Sequence, residues 1–233
     1  MACILHIETA TEVCSVALSK DGEVIFECED RNGPSHATLL GLFVSRAMEV
    51  LRNNKLELDA VAVSCGPGSY TGLRIGVSEA KGLCFGLGIP LIAIGTLRLL
   101  AYTVLQRKLV DESVLLCPMI DARRMEVYDE LFDTGLNQLR NVSADIIDEN
   151  SFADYLGSNK IAFFGNGAAK CKDSLQSANA IFLDDVYPKA SYMISLAEEA
   201  FHNNDYVDTA YFEPFYLKEF VATIAKNKVL PSR

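Results

Sequence analysis

Apolar and polar positions fall into short blocks at the start of the chain. Residues 3–7 form an apolar run, and residues 13–19 and 23–28 follow as two further runs of strand character. Lys20-Asp21-Gly22 separates the last two. Asp-Gly between such runs predicts a tight hairpin, so three consecutive strands open the chain. Asn32-Gly33-Pro34 breaks the pattern, and Ser35 stands at an N-cap position before a helical stretch to about residue 52. Residues 58–64 predict the next strand, and Gly66-Pro67-Gly68-Ser69-Tyr70-Thr71-Gly72 follows it. A helix then runs to about residue 85, ended by Gly86, Gly88 and Pro90; a strand over 91–94 and a helix over 96–107 complete the first half.

The second half repeats this order more weakly. Residues 114–120, 126–132 and 138–142 predict three strands, 151–156 a short helix, and 161–164 a strand leading into Gly165-Asn166-Gly167. Residues 189–203 read as an amphipathic helix, and the tail from Lys226 is polar and expected to be loose. A repeated order of elements without repeated residues points to two α/β lobes of related topology. Polar residues cluster over 107–113, which divides the chain into lobes 1–108 and 109–233.

Composition narrows the function classes. Half of the 233 residues are hydrophobic, enough for a sizeable core, and the net charge is −10. That balance argues against a chain that grips nucleic acid by itself, because phosphate binding relies on clustered Lys and Arg. Seven cysteines, at 3, 14, 28, 65, 84, 117 and 171, include no C-x-x-C pair. They read as free thiols in a reducing cytoplasm. His6, His36 and His202 share no metal-ligand spacing; His6 is expected to be a satisfied strand residue and His36 a solvated one. No signal peptide is expected. The most apolar stretch, 89–105, is interrupted by Pro90 and Arg98 and is too short for a bilayer span.

Two segments carry candidate function. The glycine loop after residue 66 follows a buried-type strand and opens a helix, whose N-terminal N–H groups suit an anion. It lacks the G-K-[ST] of a P-loop and the spacing of G-x-G-x-x-G. A tight strand-to-helix turn accounts for it equally, with Gly72 and Gly76 four residues apart to admit a close neighbour. The helix from Ser35 has a core stripe at Leu40, Val44, Ala47 and Leu51, yet Leu39, Leu42, Phe43 and Val50 are apolar as well. This arc exceeds the roughly 100° that one core face needs. The helix is therefore either buried on two sides by its own lobe or covered by a partner.

The run Val63-Ser64-Cys65-Gly66-Pro67-Gly68-Ser69-Tyr70-Thr71-Gly72-Leu73-Arg74-Ile75-Gly76 resembles the signature of the TsaB (YeaZ) family, bacterial proteins of the machinery that makes threonylcarbamoyladenosine in tRNA. Residues 4–18, 88–97 and 119–128 resemble the family too. The likeness is specific over 3–130, looser over 131–205, and returns at Glu213-Pro214-Phe215-Tyr216-Leu217-Lys218.

The resemblance implies a two-lobed actin/hexokinase/Hsp70-like (ASKHA) α/β fold. In that fold an acid ends the first strand of each lobe; Glu8, one methylene longer than the usual Asp, and Asp121 stand there. With Thr9, Thr11, Gly66, Gly68, Ser69, Thr71, Gly72, Gly165 and Gly167 they would outline a nucleotide cleft, working or vestigial. Alternatively, each carboxylate bonds a backbone N–H of its own turn. The catalytic relative TsaD holds a metal with an H-x-x-x-H pair; the matching positions here are Thr96 and Leu100. The resemblance thus implies a cytoplasmic, non-catalytic partner of a TsaD-type subunit, without metal or cofactor. A TsaE-type ATPase would be a further partner, tRNA would be met only through the complex, and pairing, with the partner or with a second copy, would use Leu39, Leu42, Phe43, Val50, Gly72 and Gly76. An ATP-dependent kinase or metal-dependent hydrolase using Glu8, Asp121 and the glycine loop is the alternative.

Overall fold

The computed structural model describes residues 2–33 and 35–218, so Pro34 of the predicted break and the tail from Lys226 lie outside the described residues. The first half contains β1 (Cys3–Glu8), β2 (Cys14–Lys20), β3 (Glu23–Asp30), α1 (His36–Asn53), β4 (Ala60–Gly66), α2 (Tyr70–Leu87), β5 (Leu91–Gly95) and α3 (Thr96–Gln106). The second contains β6 (Leu115–Asp121), β7 (Glu126–Phe132), β8 (Gln138–Ile146), α4 (Ala153–Leu156), β9 (Ile161–Phe164), β10 (Ala180–Leu183) and α5 (Ile194–His202). The predicted hairpin forms as its residues require: Asp21 and Gly22 both take positive φ, 53° and 82°.

Two five-stranded sheets result, in the orders β3-β2-β1-β4-β5 and β8-β7-β6-β9-β10. The pairings repeat as well. The first three strands of each half are antiparallel, and the last two add in parallel beside the first. The halves are two copies of one topology, but the second is trimmed. Where the first has α1 and α2, each of 18 residues, the second has the four-residue α4 and a 3-10 turn over Ala169–Cys171.

Alternation along each strand gives every sheet two apolar faces. One face of the first sheet packs Leu5, Ile7, Val16, Val61 and Val63 against Leu40, Phe43, Val44 and Ala47 of α1 and Val77, Ala80 and Cys84 of α2. Its other face, Ile4, Ala60, Ala62, Ile92 and Ile94, meets Met193 and, from α5, Leu196 and Ala197. The second sheet's Leu116, Ile120, Phe132, Ala162 and Phe164 are covered by Leu97, Leu100, Ala101 and Val104 of α3. α3 thus lies between the sheets, with Leu99 on the first, while α5 covers the first. After α5 the chain returns across the first lobe as a strap. Val207 N–H donates to Leu91 O (3.0 Å), and Phe215 N–H donates to Cys65 O (2.7 Å).

Three local expectations change. Residues 180–183 form β10, a run too short to stand out in the sequence. The helix expected over 189–203 opens as a 3-10 turn, Ala190–Met193, before α5. Ser35 sits at the N-cap of α1, but its hydroxyl donates to Asp30 Oδ2 (2.6 Å) and does not cap the helix. All seven cysteines are unpaired. Among the described residues no helix is long and apolar enough to cross a membrane.

Candidate functional site

The predicted site residues gather at the ends of β1, β4, β6 and β9, where the repeated topology brings two equivalent turns together. In the first lobe the turn after β1 clasps the glycine loop after β4. Thr9 Oγ1 donates to Gly72 O (2.8 Å), and Ser69 N–H donates to Ala10 O (2.7 Å). A Cβ on Gly68 would strike the Ala10 backbone, one on Gly72 the Thr9 carbonyl, and one on Gly76 the Thr9 hydroxyl. These glycines admit a loop of the same chain. Gly72 and Gly76 are buried inside the lobe, away from the partner surface expected of them.

At the start of α2 and in the loop before it, some of the N–H groups that would receive an anion are already used. Gly72 N–H donates to Ser69 Oγ (3.2 Å) and Leu73 N–H to Ser69 O (2.8 Å), while Gly66 N–H donates to Thr96 Oγ1 (3.2 Å). Gly66 takes φ 110°, and the Phe215 carbonyl of the strap lies where its side chain would be, so only glycine fits. The second lobe repeats the device: Gly165, at φ 98°, presses on Met119, and Gly167 presses on Ile120 and Asp121.

The two carboxyl groups behave unequally. Glu8 is fully buried; its Oε1 accepts from Ala10 N–H (2.6 Å), and its Oε2 has no hydrogen-bond partner among the described residues. Burial pushes the carboxyl up to about 7, partly offset by Ala10 N–H, the Ser64 hydroxyl and Thr9 N–H. Ser64 Oγ makes no well-formed hydrogen bond either, so it acts on Glu8 by proximity. Asp121 is exposed; its Oδ1 accepts from Arg123 N–H (3.0 Å) and pairs with Lys170. Each acid thus bonds the N–H two residues on in its own turn, which was one of the two readings of the sequence.

Side chains not singled out in the sequence complete the site. Asn166 Oδ1 accepts from Asp121 N–H (3.0 Å), and its Nδ2 donates to Glu12 Oε2 (2.7 Å), tying one lobe's loop to the other's. His36 is buried, contrary to expectation, with Nε2 2.8 Å from Thr11 O. It sits in the first turn of a helix packed on the β1–β2 turn, a pairing no local pattern announces. Thr11 is buried, whereas Thr71 points away from the cleft into a groove between α1 and α2.

That groove has a volume of about 650 Å³ and is lined by Ala37, Tyr70, Thr71, Arg74, Ile75, Ser78 and Glu79. On the same two helices Leu42 is 46% exposed and Phe85 87%. Leu39 and Val50 are half-buried, and Phe43, expected at the surface, is 6% exposed in the core. The residue does belong to the core-facing stripe, which is broader than four positions because α1 lies in the angle between sheet and α2. Gly41, Gly82 and Gly86 stand in these helices with open space around them.

The family model described as TsaD, the tRNA N6-adenosine threonylcarbamoyltransferase, matches residues 31–226. The tRNA threonylcarbamoyladenosine biosynthesis protein TsaB of Haemophilus influenzae is 28% identical, over 99% of this chain and 98% of its own length. The Escherichia coli TsaB is 29% identical over 94% and 96%. The solved structure of YeaZ from Pseudomonas aeruginosa superposes with a TM-score of 0.79 at 26% identity, covering 93% of this chain and all of that one. The fold is the two-lobed ASKHA fold that the sequence resemblance implied. The chain belongs to the tRNA N6-adenosine threonylcarbamoyltransferase family, in its TsaB (YeaZ) branch.

Proposed function

We propose that the protein takes part in forming threonylcarbamoyladenosine in tRNA as a non-catalytic scaffold for a TsaD-type subunit, which docks on the α1/α2 face. The observation that carries this reading is the groove of about 650 Å³ between two helices that also expose Leu42 and Phe85. Exposed helical glycines cost up to about 1 kcal/mol each relative to Ala. Gly41, Gly82 and Gly86 have no neighbour among the described residues to account for them, which suits close approach by another backbone.

The cleft supports the same reading. Where a TsaD-type enzyme would carry its metal-binding histidines, Thr96 is hydrogen-bonded to Gly66 N–H and Leu100 lies in an apolar core. Those residues do not fit a metal. Its exposed rim offers Glu12 and Asp121 against Lys170, with Glu8 buried beneath, a poor match for polyphosphate. The one feature favouring an active cleft is the Glu8 carboxyl, held near neutrality where acid–base work is done. The same face could instead take a second copy of the chain, and a TsaE-type ATPase would join the assembled pair in the cytoplasm.

A reconstituted tRNA modification assay with the organism's TsaD-type subunit tests this. Omitting the protein abolishes modification; the double variant Glu8→Gln/Asp121→Asn retains it within a few-fold, whereas Leu42→Glu loses it together with co-purification. A drop of about 100-fold in the folded cleft variant would overturn the scaffold reading in favour of chemistry within this chain.

A further inference from the structure

The motif Glu213-Pro214-Phe215-Tyr216-Leu217-Lys218 has no part in the cleft chemistry or the groove lining, yet it is held at both ends. The strap over 207–218 is anchored on the first lobe step by step. Lys81 of α2 donates to the carbonyls of Ala210 (3.2 Å) and Phe212 (2.8 Å), and the Phe212 side chain packs on the first core. Phe215 N–H donates to Cys65 O (2.7 Å), with the Phe215 carbonyl seated on Gly66. The Tyr216 ring then lies on the Tyr70 ring, centroids 4.8 Å apart and planes 38° apart. Beyond it the strap crosses to the other lobe, where Lys218 pairs with Glu126 at the start of β7.

Tyr70 is the first residue of α2 and, with Arg74, lines the α1/α2 groove. Arg74 Nη1 donates to the Tyr70 hydroxyl (3.0 Å), and its guanidinium carbon lies 5.4 Å from the ring centroid. Tyr216 therefore presses from the strap side on the residue that forms one groove wall. Neither Tyr70 nor Arg74 belongs to a core cluster. These ring and hydrogen-bond contacts contribute to their orientation.

We propose that Tyr216 is a positioning residue for the docking groove, and that the strap links the groove wall to the second lobe through Lys218 and Glu126. This rests on the groove being the docking face. A ring stacked on Tyr70 limits the rotamers of Tyr70 and Arg74 before a partner arrives, so less freedom is lost on docking. Because coupling of binding equilibria is reciprocal, a partner that fixes Tyr70 also fixes the strap and its hold on β7.

The test measures affinity for the organism's TsaD-type subunit by calorimetry, with thermal melting of each variant. Tyr216→Ala is expected to weaken docking about tenfold, Tyr216→Phe to bind as the native chain does because the ring remains, and Glu126→Gln to weaken it by a few-fold. Ala37→Trp, which fills the groove, is the control for the docking face and should abolish binding. Native-like affinity of Tyr216→Ala alongside loss in Ala37→Trp overturns the positioning role and leaves the docking face standing. Equal weakening in Tyr216→Ala and Tyr216→Phe also overturns it, since the ring would then be irrelevant. Native-like affinity of Ala37→Trp overturns the docking face itself and the inference with it.

Discussion

Glu8 is a carboxyl that the fold buries without completing its hydrogen bonds, and its titration has a definite sign. Its folded value lies near 7, above the ordinary 4.5, so the folded chain holds a proton that the unfolded chain has released. Stability therefore falls as pH rises from about 4.5 to about 7 and levels off above. Asp129 acts in the same direction, because burial pushes it to about 7 despite the Arg140 guanidinium beside it. His6 opposes both. Burial holds it down at about 3, so the unfolded chain alone takes up that proton between about 6.5 and 3. The difference in melting temperature between Glu8→Gln and the native chain isolates one group: it should grow in the variant's favour across pH 4.5–7 and stay flat from 7 to 9. A difference independent of pH would mean that Glu8 is ionised throughout. A second comparison concerns neighbours on α1. Phe43→Glu places a charge in the first core and should unfold the chain, at a cost on the order of several kcal/mol. Leu42→Glu, one residue earlier and 46% exposed, should leave circular dichroism and melting unchanged while removing association.

Among elements, the two helical glycine sets have opposite roles, and their responses to a methyl group should differ in sign. Gly76→Ala forces a Cβ onto the Thr9 hydroxyl and should destabilise the isolated chain by about 1–3 kcal/mol. Gly82→Ala meets nothing and should stabilise it by up to about 1 kcal/mol, while weakening association if another backbone approaches there. Chemical denaturation of both variants, read beside co-purification, decides between them. This is also where reading from sequence reached its limit. The first three strands were legible almost to the residue because hairpin chemistry at Asp21-Gly22 is a local signal, whereas the serine whose side chain caps a helix is Ser69 and not the expected Ser35. The four-residue spacing of Gly72 and Gly76 was equally visible, but which neighbour it admits is set by the turn at Thr9, 63 residues before Gly72 and beyond any local pattern. Phe43 was misplaced for a related reason: its burial depends on α2 closing over α1, a long-range fact. The Asn166 bridge to Glu12 joins residues from different halves and left no mark in spacing at all.

For the whole molecule, the duplicated topology explains why the second half resembles the first in order and not in residues. What is repeated is the path β-β-β-α-β-α and the two glycine turns, while the covering helices shrink to α4 and a single 3-10 turn. The late position of α5 in the chain bears on how the protein is made. The first sheet is complete once β5 has left the ribosome, but the face formed by Ile4, Ala62 and Ile92 waits for Met193, Leu196 and Ala197. These arrive about 100 residues later, roughly 5–20 s at ordinary rates of synthesis. During that interval a finished sheet presents to solvent the part of this apolar face that Leu99 of α3 does not cover. The nascent chain is then a client for chaperones that hold hydrophobic surfaces, and a stop codon placed between the halves yields an aggregating fragment instead of a free-standing lobe.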